Sequence, residues 1–371
     1  MNKKISFAGP NITEKEFDYV KDAVANGWYS TYDKHIKLLE KTFCDYLGVK
    51  YSLATHCCTH ALHLACKAIG LGSDDEVIVT DFSWVATAYA VSYTDAKCVF
   101  VDVDPDTLCI DPNLIEKAIT DKTKAIMLVH SYGMPARIDE IMYIARKYNL
   151  KVIEDAAPSI GSEFNGQKVG TFGDVACFSF QGAKMTVSGE GGIVVTNDED
   201  IHERIKLLAS MGRTDSKGVF WSDELGYQYT MGNLTAALAL AQIERVDELL
   251  EIKRNIFSWY ELGLKNIKGL KLLKEKEGIK CNYCYPTLIL EESIDISRDL
   301  IIEELKKLNI HCRPCFPRMS EFPMYKKDKR FETPITEFAE KRGISLPSAG
   351  NLNQEDIAYV CESIKKIIGV R

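Results

Sequence analysis

Residues 174–197 read DVACFSFQGAKMTVSGEGGIVVTN. An apolar run ends in Phe178-Ser179-Phe180, a glycine-containing turn delivers Lys184, and Gly189-Glu190-Gly191-Gly192 leads into a second apolar run. Two strands joined in this way hold Lys184 at the edge of a sheet. A lysine is an amine nucleophile only when uncharged, which takes burial, a cationic neighbour, or capture of the amine by a carbonyl as an imine. An aldehyde cofactor would provide the last of these. Taken alone, a lysine is better read as a solvated surface residue. The residues that accompany Lys184 argue otherwise.

Working outward, short β-branched runs at 76–80, 97–104, 124–130, 151–157, 174–180 and 191–197 alternate with helical stretches, several of the runs being apolar on both faces. Strands sandwiched between helix layers require that pattern, so the fold class is α/β with a mainly parallel central sheet. Ahead of it, Thr13 and Glu16 have the spacing of a capping box opening a helix that ends near Gly27. Behind it, helical spacing over 234–267 predicts one long helix crossing into a second unit, with the domain boundary inside it. A strand over 283–290, a helix over 297–308 and a last helix capped by Asn353 and running to about 368 complete a smaller α+β unit. The expected division is 1–247 for the large domain and 248–371 for the small one.

Three further stretches converge on the same crevice. Val152-Ile153-Glu154-Asp155 is an apolar strand ending in an acid, and ligands of open α/β sheets lie beyond the carboxyl ends of strands. Asp155 is therefore a candidate partner for a pyridinium nitrogen, although an acid capping the next turn is as good a reading of Asp155 alone. At ~4 Å and an effective dielectric near 20 such an attraction is worth about 4 kcal/mol, enough to keep the ring nitrogen protonated. YSLATHCCTHAL at 51–62 reads as strand, tight turn and a helix start near Thr59, an anion site built from free N–H groups and the Thr59 hydroxyl, with Ser179 a second donor. Thr59 as a plain N-cap uses the same geometry. Trp84, after the next strand, could stack on an aromatic ring or fill the core.

The chain has 371 residues, 46% of them hydrophobic, enough for two domains with a substantial core. A net charge of -7 supplies no basic field, so neither nucleic acid nor an anionic membrane is the expected partner. No apolar stretch suits a signal peptide or a membrane span, and a cytoplasmic location is expected. Twelve cysteines in a chain this long read as reduced thiols rather than a disulfide framework.

GWYSTYDKHIKLLEKTF (27–43), FSWVATA (82–88), VIEDAA (152–157), FSFQGAK with SGEGG (178–192), LGYQYTMGNLTAALALAQIERVD (225–247) and ISLP (344–347) occur in an order that resembles the DegT/StrS family of sugar aminotransferases. The resemblance implies the aspartate-aminotransferase fold (fold type I), pyridoxal 5'-phosphate as cofactor, and a homodimer with active sites at the interface. It implies Lys184 as the Schiff-base residue, Asp155 on the pyridine nitrogen, Trp84 over the ring, and Cys58, Thr59 and Ser179 around the phosphate. Gln181 stands where relatives often carry His or Gln beside the ring, and Asn233 would reach the partner subunit's phosphate. The dehydratase branch of the family replaces the lysine with histidine, so Lys184 favours transamination. The implied reaction carries the amino group of glutamate to a keto sugar, foremost a nucleotide-linked 4-keto-6-deoxyhexose for surface polysaccharide. A smaller keto-polyol or phosphorylated ketone is the alternative acceptor, and a silent cofactor-bound regulatory protein the alternative role. Departures at Cys58-Thr59-His60-Ala61, at Thr230 and around 313–320 alter the substrate rim.

Ser30, Arg313 and Arg318 are candidate substrate contacts, the arginines as forks for a phosphate or the donor carboxylate. Ordinary ion pairs in a solvated loop are an equal reading of both. Cys281-x-x-Cys284 and Cys312-x-x-Cys315 mimic a zinc framework, but residues three apart on a strand face opposite ways, and no metal is expected.

Overall fold

Glu16 Oε2 accepts from both the N–H and the hydroxyl of Thr13 at 2.7 Å each, opening helix α1 (Glu14–Asn26) where the capping-box spacing put it. The computed structural model describes residues 3–214, 216–218, 220–328 and 330–369. After α2 (Lys34–Leu47) come β1 (Tyr51–Thr55), α3 (Cys58–Ala68), β2 (Glu76–Thr80), α4 (Ala86–Ser92), β3 (Lys97–Val101), β4 (Thr123–Val129), β5 (Lys151–Asp155), β6 (Val175–Ser179) and β7 (Gly192–Thr196). They form a seven-stranded sheet in the order β1-β7-β6-β5-β4-β2-β3. From β6 to β3 all pairings are parallel, and β7 runs antiparallel to both of its neighbours. The chain reverses its direction of progress across the sheet between β2 and β4, and a crevice opens at such a switch point. Strands β2 and β6 are buried along their whole length, which is why their sequences do not alternate.

The smaller unit is an antiparallel sheet of Leu270–Leu272, Thr287–Leu290, Gly343–Ser345 and Arg313–Pro314, covered by helices Val246–Gly263, Arg298–Lys307 and Gln354–Ile367. The N-terminal segment runs along this unit: Ile5 N–H donates to Asn309 O at 2.9 Å and Ser348 N–H to Phe7 O at 2.7 Å, delivering Phe7 to the crevice. No helix among the described residues is long and apolar enough to cross a membrane.

Two expected elements differ. The single helix over 234–267 is two, Asn233–Ile243 and Val246–Gly263, because Arg245 leaves helical geometry (φ -114, ψ 14) to place its guanidinium 2.6 Å from Glu16 and 2.7 Å from Glu248. Glu16 is 1% exposed; burial alone would raise its carboxyl, but Thr13, Arg245 and Gln242 together lower it to about 2. The strand over 283–290 begins only at Thr287, because Tyr283 adopts a left-handed conformation (φ 50) and Pro286 has no N–H for a ladder. Cys281 and Cys284 therefore lie in an irregular buried segment, where Cys281 Sγ accepts from Tyr283 N–H at 3.2 Å. All twelve cysteines are free thiols, and no group of three or more potential metal ligands occurs among the described residues.

Candidate active site

A cavity of about 570 Å³ opens beyond the carboxyl ends of β2, β4, β5 and β6, roofed by Arg313 to Pro317 and Ser345 of the smaller unit. Asp155, the last residue of β5, is 4% exposed. Its Oδ2 accepts from the Thr87 hydroxyl at 2.7 Å and its Oδ1 from Ala157 N–H at 3.1 Å. Thr87 spends its one hydroxyl proton on Asp155, so Ser83, 2.8 Å away, must donate to Thr87. Burial pushes the Asp155 carboxyl up even against these two donors and the nearby Lys184 amine. A carboxylate desolvated without a cation in contact is an incomplete pair, and a cationic ring nitrogen completes it.

Lys184 leaves the turn between β6 and β7, half-buried in the cavity lining. The turn is tied by Gly182 N–H to Gly189 O and Lys184 N–H to Gln181 O, both 2.8 Å, and by Ala183 N–H to Gln181 Oε1 at 2.9 Å. Tyr285 closes over it: its ring centroid is 5.5 Å from Lys184 Nζ and its hydroxyl donates to Ala183 O at 3.0 Å. Across the cavity, Cys58 and Thr59 form the first turn of α3, where backbone N–H groups have no acceptor within the helix. Gly192 lets β7 pass beneath this turn, since a Cβ there would stand 2.5 Å from Cys58 N. Ser179, at the end of β6, faces the same space. An anion-binding helix start, a half-buried amine and a buried carboxylate lacking a cation in contact form a donor set that fits a phosphorylated pyridine aldehyde.

The structure thus brings Cys58, Thr59, Trp84, Asp155, Ser179, Gln181, Lys184 and Arg313 into one cavity. Trp84 is 64% exposed at the mouth, 6.4 Å from the Phe316 ring. Arg313 lies over the Phe7 ring at 4.5 Å and has no carboxylate partner among the described residues. Three expected residues are elsewhere. Arg318 is outside the lining, its guanidinium held at 2.8 Å by both Glu337 and Glu340, so it serves the fold rather than presenting a free fork. Ser30 is exposed in a short turn, Tyr29–Thr31, away from the cavity. Asn233 heads its helix outside the lining; its Oδ1 accepts from His35 N–H at 2.8 Å, while its buried Nδ2 has no partner among the described residues.

Sequence reasoning missed Thr87, Tyr285, Phe7 and Ser131 in the lining. Thr87 had a usable signal, a hydroxyl one helical turn beyond Ser83 after a strand; the others had none. It also missed what stands behind Asp155. Glu154 is fully buried and accepts from His130 at 3.0 Å and from Gly170, Phe172 and Gly173 N–H at 2.7, 2.8 and 2.7 Å. Burial opposes its ionisation, but these donors hold it below the ordinary carboxylate value.

The chain is 38% identical to the GDP-perosamine synthase of Caulobacter vibrioides over 367 residues, 98% of each protein. It is 32% identical to the putative pyridoxal phosphate-dependent aminotransferase EpsN of Bacillus subtilis, covering 98% of this chain and 95% of EpsN. Among solved structures, Helicobacter pylori PseC, an aminotransferase involved in the biosynthesis of pseudoaminic acid, superposes with a TM-score of 0.93 at 26% identity, covering 99% of this chain and 100% of PseC. The profile of one family matches residues 10–365. The chain belongs to the DegT/DnrJ/EryC1/StrS aminotransferase family.

Proposed function

We propose that the protein is a pyridoxal-phosphate-dependent aminotransferase that moves the amino group of L-glutamate onto a nucleotide-linked 4-keto-6-deoxyhexose, for surface polysaccharide. The observation that carries the reading is that Lys184 and Asp155 share one cavity with the N-terminus of α3. The GDP-perosamine synthase relative, whose name denotes a nucleotide-linked amino sugar, supports the acceptor class. When bound, the cofactor supplies an aldehyde that captures amines and a protonated ring that accepts the electrons of a breaking Cα–H bond. Lys184 would hold the cofactor through its amine, at the aldehyde carbon. Once freed by the donor's amine, Lys184 Nζ would carry the proton from the donor's Cα to the cofactor carbon that had been the aldehyde, and would run the same transfer in reverse with the keto sugar. Asp155, fixed by Thr87 and Ala157, keeps the ring nitrogen charged. The N–H groups of Cys58 and Thr59, with the Thr59 and Ser179 hydroxyls, bind the phosphate, Trp84 covers the ring, and Gln181 braces the Lys184 turn.

The same reading includes a homodimer in the cytoplasm, in which Asn233 Nδ2 reaches the partner's phosphate. It also divides the chain into a large domain, 1–247, and a smaller one, 248–371, with residues 5–9 packed on the latter. Borohydride reduction of the reconstituted protein, followed by peptide mass analysis, tests the chemistry. The adduct is expected on the peptide containing Lys184 and absent in Lys184→Ala, which should lose turnover by at least ~10²–10⁴-fold. Glutamate with GDP- and TDP-linked 4-keto-6-deoxyhexoses should give the aminated mass; an adduct on any other lysine sinks the assignment.

A further inference from the structure

Ser131 follows β4 by two residues, is 2% exposed and lines the cavity, and its hydroxyl, which lies beside the Cys109 thiol, has no hydrogen-bond partner of good geometry among the described residues. A buried hydroxyl left unsatisfied is costly, so its position asks for a ligand atom. Its backbone is already engaged, the N–H with Cys109 Sγ at 3.4 Å and the carbonyl with Met134 N–H at 2.9 Å. The turn that presents it is rigidly held. Tyr132 and Gly133 are both left-handed (φ 56 and 97), the Tyr132 hydroxyl accepts from Phe316 N–H at 3.0 Å, and Gly133 O accepts from the Ser162 hydroxyl at 2.6 Å.

The sheet order decides which ligand atom this hydroxyl meets. Across the crevice the sequence is β1, β7, β6, β5, β4, so the phosphate-binding groups of α3 and β6 lie on one flank of Asp155 and Ser131 on the other. In the pyridine ring the nitrogen and the aldehyde-bearing carbon are opposite each other, with the phosphate arm and the phenolic oxygen on opposite sides of the line between them. With the nitrogen at Asp155 and the phosphate at α3, the phenolic oxygen faces β4. The other hydroxyls near that flank are engaged: Thr87 donates to Asp155, Ser83 to Thr87 and Tyr285 to Ala183, while the Tyr132 hydroxyl accepts from Phe316 N–H and is turned toward Cys315 and Ser345. Pro158, also in the lining, has no N–H to offer. Resting on the assignment of Lys184 and Asp155 above, we propose that Ser131 is the hydrogen-bond donor to the phenolic oxygen of the cofactor.

A donor at that oxygen has a spectroscopic consequence. The proton on the Lys184 imine nitrogen is shared with the phenolic oxygen, and the donor stabilises the oxygen's charge most when that proton has gone. Ser131 therefore makes the proton easier to lose. In holoenzyme carrying Ser131→Ala, the pH midpoint of the visible absorbance change should rise by roughly one unit, and cofactor affinity should fall about tenfold. Borohydride should still trap the Lys184 peptide. Ser131→Cys, similar in volume but a poor donor, should move the midpoint the same way, and Ser131→Thr should return it toward wild type. An unchanged midpoint in a Ser131→Ala holoenzyme that still traps at Lys184 overturns the proposal, as does a raised KM for the keto sugar with the midpoint unmoved. Loss of trapping in the unmodified protein would instead sink the assignment of Lys184.

Discussion

The hydroxyl of Tyr285 is hydrogen-bonded to the carbonyl of Ala183 at 3.0 Å, so a residue of the smaller unit fixes the backbone immediately before Lys184. The same ring stands 5.5 Å from the Lys184 amine. The two units of the chain are thus joined beside the Lys184 amine.

Tyr285→Phe keeps the ring and removes this one bond, leaving Ala183 O without its donor. A loss of about 1 kcal/mol in stability is expected, with kcat/KM down roughly three- to tenfold through a less well held Lys184. Chemical denaturation and steady-state kinetics measure the two. Unchanged kinetics would mean that the turn is held well enough by its own bonds to Gln181 and Gly189.

Glu40 provides the clearest pH dependence. It accepts from Ala54 N–H at 2.9 Å, linking α2 to β1, and burial pushes its carboxyl up to about 7 from an ordinary 4.5 despite that donor. A folded-state value above the unfolded one means that the group favours folding when protonated. Its contribution is whole below pH 4.5 and fades as pH rises through 7. Glu40→Gln keeps an acceptor for Ala54 and removes the titration, so it should match wild type near pH 5 and exceed it at pH 8 by on the order of 2 kcal/mol. Thermal melts across that range give the answer, and parallel curves at every pH would remove Glu40 from the account.

Gly192→Ala tests the floor of the anion site. The new Cβ would meet Cys58 N at 2.5 Å and Cys57 C at 2.6 Å, both backbone atoms that cannot swing aside. The first turn of α3 must shift, at a cost of about 1–3 kcal/mol, and the phosphate-binding N–H groups shift with it. Cofactor affinity measured by fluorescence titration should fall at least tenfold. Full affinity in a stable variant would place the phosphate elsewhere.

The parts of this arrangement that could be read in the sequence are those whose causes are local. Val152 and Ile153 are apolar because β5 is covered on both faces, and Thr13 with Glu16 and Asn353 with Asp356 cap their helices within one turn. What could not be read depends on partners far along the chain. Arg245 ends a helix for the sake of Glu16, 229 residues away, and Tyr285 reaches Ala183 across 102. Ser131 gave no sign in the sequence because its place in the cavity lining depends on the turn after β4. Arg318 looked equivalent to Arg313 in sequence; they differ only because Glu337 and Glu340 fold back onto one of them.

That difference separates two substitutions of the same residue type five positions apart. Arg313 lines the cavity, rests on the Phe7 ring and has no carboxylate partner among the described residues, so its guanidinium is available to an anionic group of donor or acceptor. Arg313→Ala should raise KM for the substrate it contacts about tenfold, the order expected for one charge-assisted hydrogen bond, while the midpoint of unfolding stays put. Arg318→Ala removes a guanidinium bridging two carboxylates on one helix, at 2.8 Å from each. The pairs are partly exposed, so the expected loss is modest, about 1 kcal/mol of stability, with KM little changed. Measuring KM and unfolding for both variants gives a crossed result if the assignment is right. Should Arg318→Ala raise KM at unchanged stability, the fork that reads the substrate would be Arg318 in a conformation released from Glu337 and Glu340, and Arg313 would be left as cover for Phe7.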